Sequence, residues 1–436
     1  MKILIKNVCI ITMDSSHTGY NYGCIAVDGD VIVYIGEEED MPRDFDAGKV
    51  IDGKGMLALP GFINAHTHSA MSIFRGYAND IPLMEWLSSR IWPMEDRLTP
   101  EDAYWLSMLS IAEMIMGGVT AFADMYMFMD QTAKAVDRSG IRAVLARGLQ
   151  GPDPKSEQRL KENRCLWEEW NGHDGRIKVM VGPHAIYTCS RDYLESCMEL
   201  ARELGTGIHI HIAETRDEVE ECRRKYGKTP VEYLEEIGLF KYHSLAAHCV
   251  HLTREDMDIL SDNNVHVVHC PVSNLKLGSG VAQTAELLDK GVNVALGTDS
   301  ASSNNNLSIM KEMNIAALLS KGINEDPTLL PARQVLKMAT GNGAKALGWD
   351  EEIGSLEVGK KADIILLRQD GPHYHPAADP ITHLVYSGHS SDVDTVIVNG
   401  NILMEGRQLT TIDLQEVYHK VGGIRTRLMG RIEIEQ

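Results

Sequence analysis

Basic charge is in short supply in this 436-residue chain: 42 Lys and Arg stand against 62 Asp and Glu, a net charge of −20. Nucleic acid and anionic membranes are gripped by clustered cations, so neither is expected as a partner. The deficit says little about a small substrate, because a local basic pocket fits inside an acidic protein. Long apolar runs are missing too, and none approaches the roughly 18 residues that a membrane helix needs. The opening stretch, "MKILIKNVCIITMD", is broken by Lys6 and Asn7 and lacks a small-residue cleavage site. It reads as a strand, not as a signal peptide. Cysteine is sparse and scattered, eight residues with no C-x-x-C pair. In a chain of this size that pattern predicts reduced thiols and a cytoplasmic location. Cys249 and Cys270 each follow a histidine on an apolar strand, and both read as buried thiols.

Several familiar motifs are absent or spoiled. There is no H-E-x-x-H, and no H-x-E with P-C-x-x-C. "GSLEVGKK", residues 354–361, has phosphate-loop spacing, but Lys361 stands where Ser or Thr would hold magnesium. The strand-like "ADIILL" follows it, so no helix N-terminus is available for a phosphate. "GNGAKALG" lacks the strand–turn–helix context of a dinucleotide site.

What is present is a repeat. From about residue 57, a short apolar strand, a loop and an amphipathic helix recur: "MLALPGFINAHTH", "VTAFADMY", "RAVLARGL", "KVMVGPHA", "GIHIHIAE", "SLAAHCVH", "VHVVHCPVSN" and "NVALGTDS" are the strands. Eight such units in a row predict an α/β protein built as a (β/α)8 TIM-like barrel over residues 57–356. The ends differ. Residues 1–56 and 357–436 read as strands and turns with D-G and N-G turn signals, and they are expected to join into one small β-sandwich domain.

Catalytic groups on such a barrel sit at the C-terminal ends of the strands. The first strand ends with His66 and His68, the fourth with His184, and the fifth with His211 followed by Glu214. The sixth carries His248 and His251, and the eighth ends with Asp299. On a strand, residues i and i+2 face the same way, so His66 and His68 aim both imidazoles at one point. A lone His-x-His is weak, since this chain has three. His209 and His211 both point inward, but His211 is nearer the strand end and is read as the ligand, with His209 in a deeper layer. His373 and His375 sit among prolines in a turn-rich segment and read as surface. His66, His68, His211 and Asp299 together offer three nitrogens and a carboxylate, a set suited to a catalytic divalent metal. Some binuclear barrel hydrolases use a modified lysine at the end of the fourth strand; here Lys178 lies at the early end, so one metal is expected.

Glu214, three residues past His211, reads as the general acid/base, against the alternative of a solvated carboxylate in a charged helix start. His248 lies in a buried strand, where a satisfied core histidine is the default, but its position at the strand end reads as a supporting or oxyanion-polarising group. His251, His266 and His269 read as structural.

"PGFINAHTHSAMSIFRGYANDIPLMEWL", "HIHIAET", "AAHCVHL", "NLKLGSG" and "LGTDSASSNNNLSIMKEM" resemble the amidohydrolase superfamily, more narrowly the 5-methylthioadenosine/S-adenosylhomocysteine deaminases. The resemblance runs to about residue 405. It implies that His66, His68, His211 and Asp299 hold one divalent metal per subunit, usually zinc, with iron or manganese as alternatives. It implies that Glu214 shuttles protons and that His248 polarises the attacked position and, with Asp299, orients the attacking water. Trp86 would form an aromatic wall, Glu95 would bind ribose hydroxyls and His184 would contact the purine. Arg147 and Arg159 would face an amino-acid tail, although pairing with surface acids is an equal alternative for each. Ser303 falls in the loop after the aspartate and counts with the substrate contacts. The implied activity is hydrolytic deamination of S-adenosylhomocysteine and 5′-methylthioadenosine with release of ammonia. Main activity on 5′-deoxyadenosine or adenosine, or hydrolysis of another heteroaromatic ring such as a triazine, are the alternatives. The implied assembly is a homo-oligomer, dimer or tetramer.

Overall fold

Short apolar strands that cannot cover both of their faces must be sandwiched, and a closed parallel sheet wrapped in helices does this. The computed structural model of the chain describes residues 1–42, 44–77, 80–81 and 83–430. Residues 431–436, counted from sequence with the second domain, lie outside the described residues, as do positions 43, 78, 79 and 82. Strands Phe62–Thr67, Val119–Tyr126, Arg142–Leu149, Ile177–Pro183, Ile208–Ile212, Ser244–His248, His266–His269 and Asn293–Leu296 lie side by side in chain order. Each adjacent pair is parallel.

The first and last strands meet through side chains and loop backbone. Asn64 and Thr298, 234 residues apart, exchange hydrogen bonds of 2.8 and 2.9 Å. The Asp299 N–H donates to the His66 carbonyl at 3.0 Å. This closure brings the eighth strand end beside the first, and with it Asp299 beside His66.

The run read from sequence as one strand, Met56 to His68, is two: Met56–Pro60 belongs to the sheet of the chain ends and Phe62–Thr67 to the barrel. Gly61 is the joint. A Cβ there would lie 2.1 Å from the Thr120 side chain, so only glycine lets the chain cross so close to the second strand.

The end sheet has nine strands, with Met56–Pro60 pairing antiparallel to Ile364–Arg368. Its two halves also meet at their turns: a Cβ on Gly400 would lie 1.9 Å from the Gly29 carbonyl oxygen. Asn399 and Gly400 both have positive φ, as the N-G signal predicts. Ile3, Ile5, Val27, Ile32, Ile364 and Ile397 fill its apolar layer. The sheet is tied to the barrel by Arg142 at the start of the third strand. This fully buried guanidinium donates twice to Asp363 at 3.1 Å and once to the Gly175 carbonyl at 2.8 Å.

The C-terminal segment was read as strands and turns, yet Leu414–Met429 is a helix. Val417, Ile424 and Leu428 are its buried stripe, and Arg427 pairs with Asp102 on the helix Pro100–Met116. Adjacent Gly422 and Gly423 lower its intrinsic propensity and hide it from a sequence reading. Among the described residues no helix is long and apolar enough to cross a membrane.

Candidate active site

Three barrel strands and one loop deliver their side chains to a common point at the C-terminal rim. The first strand brings His66, with His68 just past its end, the fifth His211, the sixth His248, and the loop after the eighth brings Asp299. Hydrogen bonds set the tautomers. His68 Nδ1 donates to the Met125 carbonyl at 2.5 Å, and His211 Nδ1 donates to the His184 carbonyl at 2.7 Å. A carbonyl only accepts, so each ring carries a proton on Nδ1 and turns Nε2 to the centre. These two Nε2 atoms are 3.3 Å apart. Asp299 Oδ1 lies 3.2 Å from His68 Nε2 and 3.6 Å from His66 Nε2. His66 Nε2 is buried with no hydrogen-bond partner.

Lone pairs and a carboxylate oxygen crowded this closely repel one another unless positive charge sits among them. Burial pushes His68 down, but Asp299 outweighs it and lifts the imidazole to about 9. Burial by itself would raise the Asp299 carboxyl, yet His66 and His68 hold it well below the usual carboxylate range. The ligand atoms of His66, His68 and Asp299 lie within 4.8 Å of one another, as do those of His66, His211 and His248. Three imidazoles and one carboxylate with an orphaned nitrogen fit a divalent cation.

A second layer holds these groups in place. Ser273 and Ser303 donate to Asp299 Oδ2 at 2.6 and 2.7 Å, leaving Oδ1 to the centre. Ser303, expected among the substrate contacts, therefore commits its hydroxyl to the aspartate, although it also lines the cavity above. His209 lies one layer down, as expected, with Nε2 2.8 Å from His66 Nδ1. Burial lowers both of these rings, His66 to about 3, so they stay neutral. Such outer partners orient a metal-binding imidazole. Ala213, His248, Cys249 and Asp299 all have left-handed backbone, with φ of 51, 74, 49 and 58°. Strain of this kind, costing on the order of 1–3 kcal/mol per residue, gathers at functional sites.

Glu214 is buried, not solvated. Burial raises its carboxyl, and it lies 3.8 Å from His248 Nε2, with the Ser279 hydroxyl 3.5 Å away. His248 Nδ1 meets Asn274 Oδ1 at 2.9 Å, which aims the opposite edge of the ring at the glutamate. Glu214 is carried on a turn that Glu218 clamps: the Ala213 and Glu214 N–H groups donate to its two oxygens at 2.9 and 2.8 Å. Burial lifts the Glu218 carboxyl to about 7. The sequence reading missed Glu218, although the T-x-x-E spacing from Thr215 marks a helix start. It also missed Ser273 and Asn274, which have no sequence signal.

A cavity of about 910 Å³ opens above the centre. Trp86, Glu95, Arg147, Arg159, His184, Glu214, Asp299 and Ser303 all line it, so every sequence-predicted contact reaches one space. Trp86 and Glu95 sit on a continuous helical segment, Leu83–Glu95, that passes through a π-turn at Leu87–Ile91. π-turns of this kind recur at functional sites. Tyr126 donates to Glu95 Oε1 at 2.6 Å. His184 Nδ1 meets the Thr188 hydroxyl at 2.9 Å, and burial lowers the ring to about 3, keeping it neutral. Both arginines are also paired with acids: Arg147 Nε donates to Glu162 at 2.9 Å and Arg159 Nη1 to Asp153 at 2.8 and 2.9 Å. Each arginine thus lines the cavity while paired with an acid.

A further buried acid supports the loop that follows Asp299. Glu312 accepts from Asn304 Nδ2 at 2.7 Å and from the Val272 N–H at 3.1 Å. Burial lifts its carboxyl from 4.5 to about 8. Between those values the folded protein keeps a proton that the unfolded chain releases. The stability it contributes is full below about 4.5 and is lost as pH rises through about 8. Glu312→Gln, which cannot titrate, is expected to flatten the fall in urea midpoint between pH 5.5 and 8.5. An unchanged slope refutes the protonated acid.

Comparison with known proteins adds three findings. A family model described as the amidohydrolase family matches residues 57–403. Proteins named 5-methylthioadenosine/S-adenosylhomocysteine deaminase, from Caldanaerobacter subterraneus and Thermoanaerobacter pseudethanolicus, are 52% and 51% identical to this chain. The first covers 97% of each chain, and the second 97% of this chain and 98% of the relative. The zinc-bound structure of an adenosine deaminase from Xanthomonas campestris superposes with a TM-score of 0.94 at 32% identity, covering 98% of both chains. Zinc-bound atrazine chlorohydrolase from Arthrobacter aurescens superposes with a TM-score of 0.91 at 26% identity, over 97% of this chain and 100% of the other.

Proposed function

The chain belongs to the amidohydrolase family, and from that premise we propose that it deaminates S-adenosylhomocysteine and 5′-methylthioadenosine by hydrolysis, releasing ammonia. The observation that carries this reading is the pairing of a cation-demanding His/Asp centre with a buried Glu214 at the floor of a cavity large enough for a nucleoside. The names of the 52% and 51% identical relatives support the choice of substrate.

In this reading His66, His68, His211 and Asp299 hold the metal, taken as zinc because the donor set is rich in imidazole. When bound, the ion supplies Lewis acidity and lowers the pKa of water towards about 7. The protein supplies the rest. Glu214 accepts a proton from the attacking water and delivers it to N1 of the adenine ring as oxygen bonds to C6. The raised proton affinity that burial gives this carboxyl suits both halves of the transfer. His248, held from behind by Asn274, hydrogen-bonds the oxygen as it adds to the ring. Asp299, with Oδ2 occupied by two serines, keeps Oδ1 for the metal and the water beside it. Glu214 then takes the remaining proton of the added C6 hydroxyl and passes it to the amino group, and the C6–N bond breaks to release ammonia and leave a C6 carbonyl. Trp86 stacks along the purine, His184 contacts its edge and Glu95 accepts from the ribose hydroxyls. Arg147 and Arg159 bind the carboxylate of the homocysteine tail, for which the guanidinium fork is well shaped.

Ammonia release from S-adenosylhomocysteine, methylthioadenosine, 5′-deoxyadenosine, adenosine and an aminotriazine, at matched concentrations with zinc, tests the reading. Turnover of the first two ahead of the triazine is expected. Turnover of the triazine alone would shift the assignment to another ring hydrolysis on this scaffold and remove Glu95 and the arginines from the site.

A further inference from the structure

An amino-acid tail brings two charges into the cavity, and two guanidinium groups answer only one of them. At neutral pH the α-carboxylate of a homocysteine tail suits Arg147 and Arg159, but its α-ammonium is repelled by both. A site that prefers the zwitterion needs an anion beside the arginines. The α-nitrogen is only two bonds from the carboxyl carbon, so that anion must lie close to a guanidinium that holds the carboxylate.

We infer that Glu162 is this anion, the acceptor for the α-ammonium group of an amino-acid-bearing nucleoside. The inference rests on the deaminase reading above. Glu162 and Asp153 are the carboxylates paired with these arginines, and their environments differ. Asp153 Oδ1 already accepts from the Lys155 N–H at 2.7 Å and the Ser156 hydroxyl at 3.3 Å, and both of its oxygens face Arg159 Nη1. Oδ1 is held by its own turn and Oδ2 by Arg159, and Asp153 does not line the cavity, whereas Glu162 does. Glu162 uses Oε2 for Arg147 Nε at 2.9 Å, while Oε1 has only a long 3.4 Å contact from Gln158. It therefore keeps acceptor capacity while touching the arginine.

Its position is built, not incidental. The next residue, Asn163, is fully buried and accepts from the Arg147 N–H at 3.1 Å. That bond pins the helix Ser156–Trp170 to the end of the third strand and sets Glu162 against Arg147. Arg147 in turn spends Nη1 on the Gly148 carbonyl at 2.5 Å. Nε thus faces Glu162 and Nη1 the backbone, and Nη2 is left for the carboxylate. Glu169 also lines the cavity, two turns further along the helix, but it makes no ion pair with either arginine.

The test compares kcat/KM for S-adenosylhomocysteine with that for its des-amino analogue, which carries a 4-thiobutanoate tail, in the zinc-loaded wild type, Glu162→Gln and Glu169→Gln. The ratio isolates the ammonium, since ring, ribose, thioether and carboxylate are shared. Glu162→Gln is expected to lower the ratio about three- to tenfold, the scale of one partly exposed charge-assisted contact. Releasing Arg147 from its acid acts in the same direction, because it favours a bare carboxylate. A ratio that stays within error in Glu162→Gln, or that falls in Glu169→Gln instead, overturns the inference while methylthioadenosine turnover leaves the deaminase reading standing. A wild type that deaminates neither nucleoside overturns that reading, and this inference with it.

Discussion

His66→Ala is expected to cost the protein both its metal and its ammonia release, with the barrel still folded. The Nε2 atom of His66 is buried, faces the centre and has no hydrogen-bond partner among the described residues, so a bound cation is what would satisfy it. Loss of an outer partner typically costs 10- to 100-fold in metal affinity, and removing a direct ligand is expected to cost at least about 100-fold. The substitution also orphans His209, whose Nε2 faces His66 Nδ1 at 2.8 Å, so a modest drop in thermal stability accompanies the loss. Metal analysis after dialysis, with far-ultraviolet circular dichroism on the same sample, separates the two effects. Stoichiometric metal with retained turnover would exclude His66 as a ligand.

Glu214→Gln is the second large effect. The amide preserves shape and burial but cannot take a proton from water, and positioned general acid–base groups contribute about 10²–10⁴-fold. We expect kcat to fall by about 10³-fold with metal content retained. The pH profile supplies an independent check. Glu214 must be deprotonated to act as the base, and burial raises its carboxyl above the ordinary 4.5. Activity of the wild type is therefore lost as pH falls through that raised value, and the residual activity of Glu214→Gln loses this limb. A kcat within tenfold of the wild type, or an intact acidic limb, removes Glu214 from the role.

Much of this was legible because strand geometry is local. An i, i+2 spacing aims His66 and His68 together in any strand, and apolar runs of four to eight residues separated by helical periods predict the barrel. The N-G turn at Asn399–Gly400 likewise carries its conformation in its residue types. Where local signals conflict with packing, the reading failed. Gly61 looks like the interior of a strand until Thr120 is placed beside it, and the paired glycines at 422–423 disguise a helix that packing against Pro100–Met116 stabilises. Glu218 has a local signature, but that signature predicts a helix cap. Its actual work, clamping the turn that carries Glu214, depends on Ala213 adopting a left-handed backbone.

The sequence by itself determined which residues can do chemistry here and at which end of each strand they stand, because side-chain direction follows from covalent order along a strand. Tertiary structure alone decided how those ends converge. Asp299 reaches His66 only because Asn64 and Thr298 close the barrel across 234 residues of chain, and Arg142 finds Asp363 only because both chain ends share one sheet. Glu162 stands against Arg147 because a buried Asn163 locks its helix to the third strand. Burial then determined the charge states, lifting Glu214, Glu218 and Glu312 and lowering His66, His184 and His209. Desolvation depends on every neighbour at once, and so it exists only after the chain has folded.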